Sequence, residues 1–168
     1  MYDNKRTPSN PRNKIQLANT NDAELTNTQY YSINFLSNGF QLKSDVSTAT
    51  NDNGGSYIYM AFAADPDTEA PTLASSFNIE TWTGTGSARS ITGFGFSPNL
   101  VWYKERSNTS SHEWLDTLRG PTNYIMSSSA NAQASSAQGL QSFDSDGFSV
   151  GTDGAVNQSG ETYVGWAW

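Results

Sequence analysis

Residues 142–150 read "SFDSDGFSV", in which apolar and polar residues alternate on both sides of an Asp-Gly pair. Alternation with a period of two places the apolar side chains on one face of a β-strand. Asp-Gly favours a tight turn with positive φ between two antiparallel strands. The stretch therefore predicts a β-hairpin with one buried face. Residues 33–42, "INFLSNGFQL", predict a second hairpin of the same form around Asn-Gly.

Four further segments are predicted to be strands, because they combine aromatic or β-branched residues with other apolar ones and end in turn residues. They are "SYIYMAFA" (56–63), "SITGFGF" (90–96), "NLVWYKER" (99–106) and "TYVGWAW" (162–168). Residues 127–138, "SSSANAQASSAQ", have no apolar stripe and are predicted to form a loop or one short turn. The chain as a whole predicts an all-β fold, an antiparallel β-sandwich.

The composition agrees with this fold and excludes several classes of function. Ser, Thr, Asn and Gly make up 70 of the 168 residues, which favours strands joined by polar turns over helices. The formal net charge is −7, and nine Lys and Arg residues provide no basic face for nucleic acid. Without Cys, disulfides and thiolate metal sites are excluded. No signal peptide and no apolar run of ~20 residues is visible, so we expect no membrane insertion.

The sequence repeats itself with a period of about 110 residues, which indicates a repeated domain rather than a solenoid. Four blocks occur twice in the same order, with the changes in spacing that loop insertions produce. The pairs are "YDNKR" (2–6) with "LDTLR" (115–119), "NKIQLANTNDAE" (13–24) with "TNYIMSSSANAQ" (122–133), "FLSNGF" (35–40) with "FDSDGF" (143–148), and "YIYMAF" (57–62) with "YVGWAW" (163–168).

The two copies are unequal. Residues 1–63 are predicted to be the C-terminal part of a first unit, 64–76 an acidic, proline-containing linker, and 77–168 a second and more complete unit. The stretch 77–114 has no counterpart in the first copy, so the chain reads as one and a half domains. Half a sandwich leaves strand edges unpaired. We therefore expect the other half to lie upstream in a longer polypeptide or to be supplied by another chain.

Two stretches carry a resemblance to a known family. Residues 96–120, "FSPNLVWYKERSNTSSHEWLDTLRG", and 139–168, "GLQSFDSDGFSVGTDGAVNQSGETYVGWAW", resemble a repeated domain in structural proteins of tailed bacteriophages, especially marine phages of cyanobacteria and other bacteria. The first half of the chain is similar to another variant of the same unit. The resemblance covers most of the chain, and it brings no catalytic residues with it.

The resemblance implies a virion protein of the tail-fibre, tail-spike or capsid-decoration kind, with a lectin-like or jelly-roll-like β-sandwich. Such a protein is assembled in the bacterial host cytoplasm and has other virion proteins as partners. It is expected to form homo-oligomers, to need no cofactor and to act in particle architecture and host adhesion without catalysis. Two alternatives stay open: a carbohydrate-binding module that recognises a host surface glycan, and a polysaccharide depolymerase with an acid pair.

Few residues are candidates for chemistry. His112 is the only histidine and lies in a polar stretch, "SNTSSHEW". We expect it to be an exposed loop residue, and it is a candidate for ligand contact. Asp144, Asp146 and Asp153 lie close together in sequence and are candidates for Ca²⁺. Their spacing is not that of an EF-hand, and the alternative is a β-turn whose Asp side chains bond the local backbone.

Asp-x-x-Arg occurs at the same place in both copies, as Asp3 with Arg6 and as Asp116 with Arg119. Each pair is predicted to be a buried or half-buried ion pair that fixes a turn, because such pairs need good geometry to repay their desolvation.

Aromatic residues offer the remaining candidates. The tryptophans at 102, 114, 166 and 168, with Tyr103, could form a platform for sugar stacking, or they could be core residues on period-two strands. Trp82 lies in "ETWTGTGS", flanked only by polar and small residues, and is predicted to be a surface contact for a ligand.

Overall fold

A computed structural model describes residues 1–26, 32–43, 50–57, 59, 61 and 76–168. The chain divides into two compact units, the first formed by residues 1–16 and 24–65 and the second by 17–23 and 66–168. Every strand pairing in the described residues is antiparallel. The predicted linker at 64–76 lies outside the described residues except for Ser76.

The second unit is a β-sandwich. Its strands are β5 (Asn78–Thr83), β6 (Arg89–Thr92), β7 (Leu100–Glu105), β8 (Glu113–Asp116), β9 (Asn123–Met126), β10 (Ala134–Ser135), β11 (Leu140–Asp144), β12 (Gly147–Val150) and β13 (Thr162–Ala167), with one short helix, α1 (Gly154–Asn157). A six-stranded sheet has the order β10-β9-β8-β7-β13-β5, and a three-stranded sheet has the order β11-β12-β6. The all-β prediction is confirmed.

The core of this unit lies between the two sheets, because alternate residues of each strand point inward. Each large apolar side chain buried there contributes about 1.5–3 kcal/mol to folding. The core side chains are Trp82, Ile91, Phe94, Val101, Tyr103, Leu115, Leu140, Phe148, Val150, Val156, Tyr163 and Ala167.

The hairpin predicted at 142–150 is formed by β11 and β12, with Phe143 opposite Phe148 and Asp144 opposite Gly147. Gly147 has a φ of 143°. A Cβ atom at this position would lie 2.1 Å from the carbonyl oxygen of Ile91 on β6. The glycine thus lets β6 approach the turn of the hairpin closely enough to pair with β12.

The first unit has four short strands: β1 (Lys14–Ile15), β2 (Leu25–Thr26), β3 (Ile33–Leu36) and β4 (Gly39–Leu42). β1 pairs with β2, and β3 pairs with β4 as the second predicted hairpin. Among the described residues of this unit only Ile15 and Ile33 are buried apolar side chains. Its described apolar core is therefore much smaller than that of the second unit.

Most of the predicted strands are confirmed, at 33–42, 99–106, 142–150 and 162–168. The strand predicted at 90–96 ends at Thr92, because Gly93 and Gly95 both adopt positive φ. The loop predicted at 127–138 contains the two-residue strand β10. The segment 56–63 lies partly outside the described residues, and its described positions form no strand.

Candidate functional site

The outer face of the six-stranded sheet carries a row of aromatic side chains. Trp166 on β13 lies opposite Trp102 on β7, and Trp102 lies opposite Trp114 on β8. Their strand neighbours Tyr103 and Leu115 point into the core, so these three rings point away from it. We call Trp166, Trp102 and Trp114 the tryptophan row.

The rings of the tryptophan row are in contact. The centroids of Trp102 and Trp114 are 4.3 Å apart with 26° between planes, and those of Trp102 and Trp166 are 5.3 Å apart. Trp168 lies nearly parallel to Trp114 at 6.4 Å. Trp166 is buried, whereas Trp102, Trp114 and Trp168 are partly exposed. The five aromatic residues considered as a sugar-stacking platform therefore lie on two faces of the sheet. The four tryptophans share the outer face, and Tyr103 is a core residue.

His112 lies beside the tryptophan row and is fully buried. Its Nδ1 accepts a hydrogen bond of 3.0 Å from the Trp102 indole nitrogen, and the two rings are 5.5 Å apart. The expectation of an exposed loop histidine is wrong, because His112 directly precedes β8 and its ring packs against Trp102. The imidazole serves as the acceptor that a buried indole N–H requires.

Trp82 is not a surface contact. It lies on the core face of β5 with 7% of its surface exposed, stacked on Tyr163 at 5.6 Å. Its indole nitrogen donates a hydrogen bond of 3.0 Å to the carbonyl oxygen of Val156. The prediction is wrong because the polar neighbours of Trp82 alternate with it on the strand and point to the other face, or lie in the turn beyond.

A buried polar pair lies on the inner face of the same sheet. The Tyr103 hydroxyl donates a hydrogen bond to the carboxyl group of Glu113, directly across the β7–β8 pairing. Burial raises the pKa of Glu113 to about 7, the hydrogen bond from Tyr103 opposes this shift, and the charge of Asp153 adds to it. Burial also raises the pKa of Tyr103 well above its ordinary value. Glu113 thus holds its proton up to near pH 7.

The three aspartates proposed for Ca²⁺ bind protein groups in separate places. Asp146, in the turn between β11 and β12, accepts hydrogen bonds from the backbone N–H groups of Gly93 (3.1 Å) and Gly95 (2.6 Å). It thereby fixes the segment that follows β6 against the hairpin turn. The two glycines supply the positive φ that this segment needs.

Asp144 accepts hydrogen bonds from the hydroxyls of Ser142 (2.8 Å) and Ser149 (2.6 Å) on the outer face of the hairpin. Asp153 is the N-cap of α1 and accepts from the backbone N–H of Ala155 at 2.9 Å. Across the described ranges, no three His, Asp or Glu side chains lie together as metal ligands would.

Both Asp-x-x-Arg turns are closed by the same bonds. In each, the Arg backbone N–H donates to Asp Oδ1 at 2.8 Å, and Arg Nε donates to Asp Oδ2, at 2.5 Å for Arg6–Asp3 and 2.7 Å for Arg119–Asp116. In the first pair both side chains are 1% exposed, and Arg6 also forms a salt bridge with Glu24. In the second pair the side chains are 23% and 24% exposed. These hydrogen bonds, led by the Arg119 backbone N–H, lower the pKa of Asp116.

Sequence reasoning missed several buried ionisable side chains, among them Glu113 and Lys104. The Lys104 ammonium group donates to the carbonyl oxygens of Glu105 and Asn108 and is enclosed by the loop that follows β7. Period-two alternation places Lys104 on the strand predicted at 99–106 but predicts no strand at Glu113, and it gives neither the β7–β8 register nor the path of the loop. The available signal is that Lys104 directly follows the apolar run at 100–103, "LVWY".

The fold and its contacts define an antiparallel β-sandwich with an aromatic outer face. The chain belongs to the family DUF7483, a domain of unknown function, whose profile matches residues 1–66 and 73–168. No curated protein and no solved structure matches it. In the part of the chain that the structure describes, no helix is long and apolar enough to cross a membrane.

Proposed function

We propose that the chain is a non-catalytic structural protein of a tailed-bacteriophage particle, of the tail-fibre or capsid-decoration kind. It acts in particle architecture and adhesion to the host, together with other virion proteins and further copies of itself. It is assembled in the cytoplasm of the bacterial host. The sequence resemblance supplies this assignment, and the structure supports the non-catalytic role.

The observation that carries the non-catalytic role is the structural use of the side chains that could perform chemistry. The imidazole of His112 binds Trp102, Asp146 holds two backbone N–H groups, and Asp153 caps a helix. Asp116 is closed onto Arg119. Groups that already hold the fold together are poorly placed to bind a substrate or exchange a proton with it, and they favour a scaffold.

We also propose that the two units are unequal copies of one domain. The β1–β2 pairing, Lys14 with Thr26 and Ile15 with Leu25, corresponds residue for residue to the β9–β10 pairing, Asn123 with Ser135 and Tyr124 with Ala134. The two Asp-x-x-Arg turns and the two hairpins correspond in the same way. A fibre or coat built from one repeated sandwich would use such copies.

Immunogold electron microscopy tests the virion role. Antibodies raised against the recombinant chain should label intact, purified particles of a phage that encodes it, and the position of the gold distinguishes tail from capsid. Label that is abundant in infected-cell lysate but absent from particles would contradict the proposal. Release of reducing sugar from host polysaccharide by the chain would contradict the non-catalytic role.

Carbohydrate binding is the second candidate, and the tryptophan row favours it. Trp102, Trp114 and Trp168 are partly exposed on one face, and Trp114 and Trp168 are parallel to within 10°. The large apolar face of an indole ring suits it to the C–H-rich faces of pyranose sugars.

A glycan array separates the two candidates. If the chain is a sugar-binding module, it should bind one class of bacterial surface glycan, and Trp114→Ala should abolish the signal. Ile125→Ala is the matched control, since Ile125 lies opposite Trp114 on β9 and is exposed but has no ring. An array without signal, or equal loss in both variants, would exclude this candidate.

A further inference from the structure

The β3–β4 hairpin of the first unit has the same register as the β11–β12 hairpin of the second. Phe35 lies opposite Phe40, as Phe143 lies opposite Phe148. In both hairpins the two phenylalanines share a face, and the opposite face is largely polar. The second unit therefore shows how a hairpin of this type is covered in a complete sandwich.

In the second unit the hairpin is covered by the first two strands of that unit, β5 and β6. β6 pairs with the free edge of β12, with Ile91 opposite Phe148. Trp82 from β5 packs edge-on against Phe148 at 5.8 Å, and Phe94 lies at 5.5 Å. As a result Phe148 is fully buried.

In the first unit neither covering strand is present among the described residues. β4 pairs there with β3 alone. Phe40, the counterpart of Phe148, is 37% exposed, and its described ring contact is with Tyr59 at 5.3 Å, itself mostly exposed. Among the described residues, no strand therefore lies along the edge of β4 and no tryptophan covers Phe40, where the second unit has β6 and Trp82.

The glycine of the turn strengthens the correspondence. Gly147 leaves room for the carbonyl oxygen of Ile91, which a Cβ would meet at 2.1 Å. Gly39 occupies the same place in the first unit, with a similar φ of 155°, yet a Cβ there would meet nothing within 4 Å. The first unit keeps the clearance that a β6-type strand requires, although no described strand uses it.

We propose that the edge of β4 and the face of Phe40 bind a β-hairpin of the β5–β6 type, carried by another polypeptide of the same domain family. Its second strand pairs with β4 in the register that Ile91 takes opposite Phe148, and its tryptophan covers Phe40. Backbone hydrogen bonds along an open sheet edge provide affinity in such strand addition, and the side-chain pocket provides specificity. The inference rests on the correspondence of the two hairpins and does not depend on the virion role.

A second copy of this chain is not the occupant. In each copy, β5 is paired with β13 and β6 with β12 of its own second unit. Two copies would therefore present two open β4 edges and no spare β5–β6 hairpin. The partner must carry a β5–β6-type hairpin that is not already paired within the partner's own fold.

A peptide of residues 77–98 of this chain, which contains β5 and β6, is the probe. Labelled with a fluorophore and titrated with the full 168-residue chain, it should show saturable binding by anisotropy. Phe40→Asp should weaken binding about tenfold or more, because it places a charge under the docked tryptophan. Gly39→Ala should weaken it similarly by blocking the close approach of the added strand.

Leu36→Asp is the matched control, since Leu36 is 51% exposed on the opposite face of the same hairpin, and it should leave the affinity unchanged. Hydrogen exchange locates the peptide: amides of β4 should become protected and those of β12 should not change. Absence of binding, protection at β12 through replacement of the chain's own hairpin, or equal losses in Phe40→Asp and Leu36→Asp would each overturn the proposal. A chain that dimerises through Phe40 and excludes the peptide would identify the second copy as occupant and overturn it as well.

Discussion

The Tyr103 hydroxyl donates a hydrogen bond to the Glu113 carboxyl group across two neighbouring strands of the six-stranded sheet. Both side chains are buried between the sheets. Burial raises the pKa of Glu113 from 4.5 to about 7, so the folded chain keeps a proton that the unfolded chain loses. This relationship makes the stability of the second unit depend on pH.

The free energy of unfolding should fall as the pH rises from about 4.5 to about 7, because in this range the unfolded state binds fewer protons than the folded state. A pKa shift of this size corresponds to a loss of about 3 kcal/mol in the free energy of unfolding across this pH range. Glu113→Gln, which stays neutral, should remove most of this pH dependence. Urea denaturation at a series of pH values, followed by tryptophan fluorescence, measures it.

Tyr103→Phe provides a check on the cause. The hydrogen bond from Tyr103 lowers the pKa of Glu113, so its removal should extend the loss of stability to higher pH. A Glu113→Gln profile with the same slope as the unaltered chain would show that this carboxyl group is not the source.

Gly147→Ala should destabilise the second unit strongly, since its Cβ would meet the Ile91 carbonyl oxygen at 2.1 Å. Overpacking of this kind costs about 1–3 kcal/mol or more. Gly39→Ala is the matched control, with a similar φ and open space around the new methyl group. Hydrogen exchange of each hairpin measures the loss of stability in the two variants. If Gly147→Ala and Gly39→Ala lose equal stability, the φ angle and not the close approach of β6 requires the glycine.

Asp3→Ala should cost more stability than Asp116→Ala, although the two side chains make the same bonds. Loss of Asp3 removes one of the two carboxylates that contact the buried Arg6 guanidinium and leaves Glu24 at 3.3 Å, so it costs up to about 3–5 kcal/mol, whereas a partly exposed pair is worth about 1 kcal/mol or less. Hydrogen exchange resolves the two units separately. A larger loss from Asp116→Ala would contradict the difference in burial.

Trp82→Ala should lower the free energy of unfolding by about 3–5 kcal/mol, as expected for a large core side chain with a buried N–H partner. Trp114→Ala, on the partly exposed outer face, should cost clearly less and leave the fold intact. Thermal unfolding followed by circular dichroism compares the two. A small effect of Trp82→Ala would contradict its place in the core.

The alternation of apolar and polar residues was enough to predict the two hairpins, whose polar residues share one face. The strands at 99–106 and 162–168 were predicted from their aromatic and β-branched residues, and β13 is in fact buried on both faces. The alternation failed for β5, where the strand ends in a run of Thr and Gly and Trp82 reads as a surface residue. The face of a residue depends on which sheet covers the strand, and a single segment does not contain that information.

The candidate site was harder to predict than the fold. The tryptophan row exists because Trp102 and Trp114 fall opposite each other on the consecutive strands β7 and β8, and Trp166 falls opposite Trp102 on β13, which is distant in sequence. Cross-strand register is set by loop lengths and pairing, which local composition does not specify. For the same reason the partners of His112 and Glu113 were not visible in the sequence, whereas the local Asp-x-x-Arg turns were.

The most direct test of the virion assignment is quantitative mass spectrometry of purified particles of a phage that encodes this chain. We predict that peptides from both units are present, at a ratio to the major capsid protein that stays constant through successive purification steps. Absence of these peptides from particles, or an abundance that falls with each step, would contradict the account.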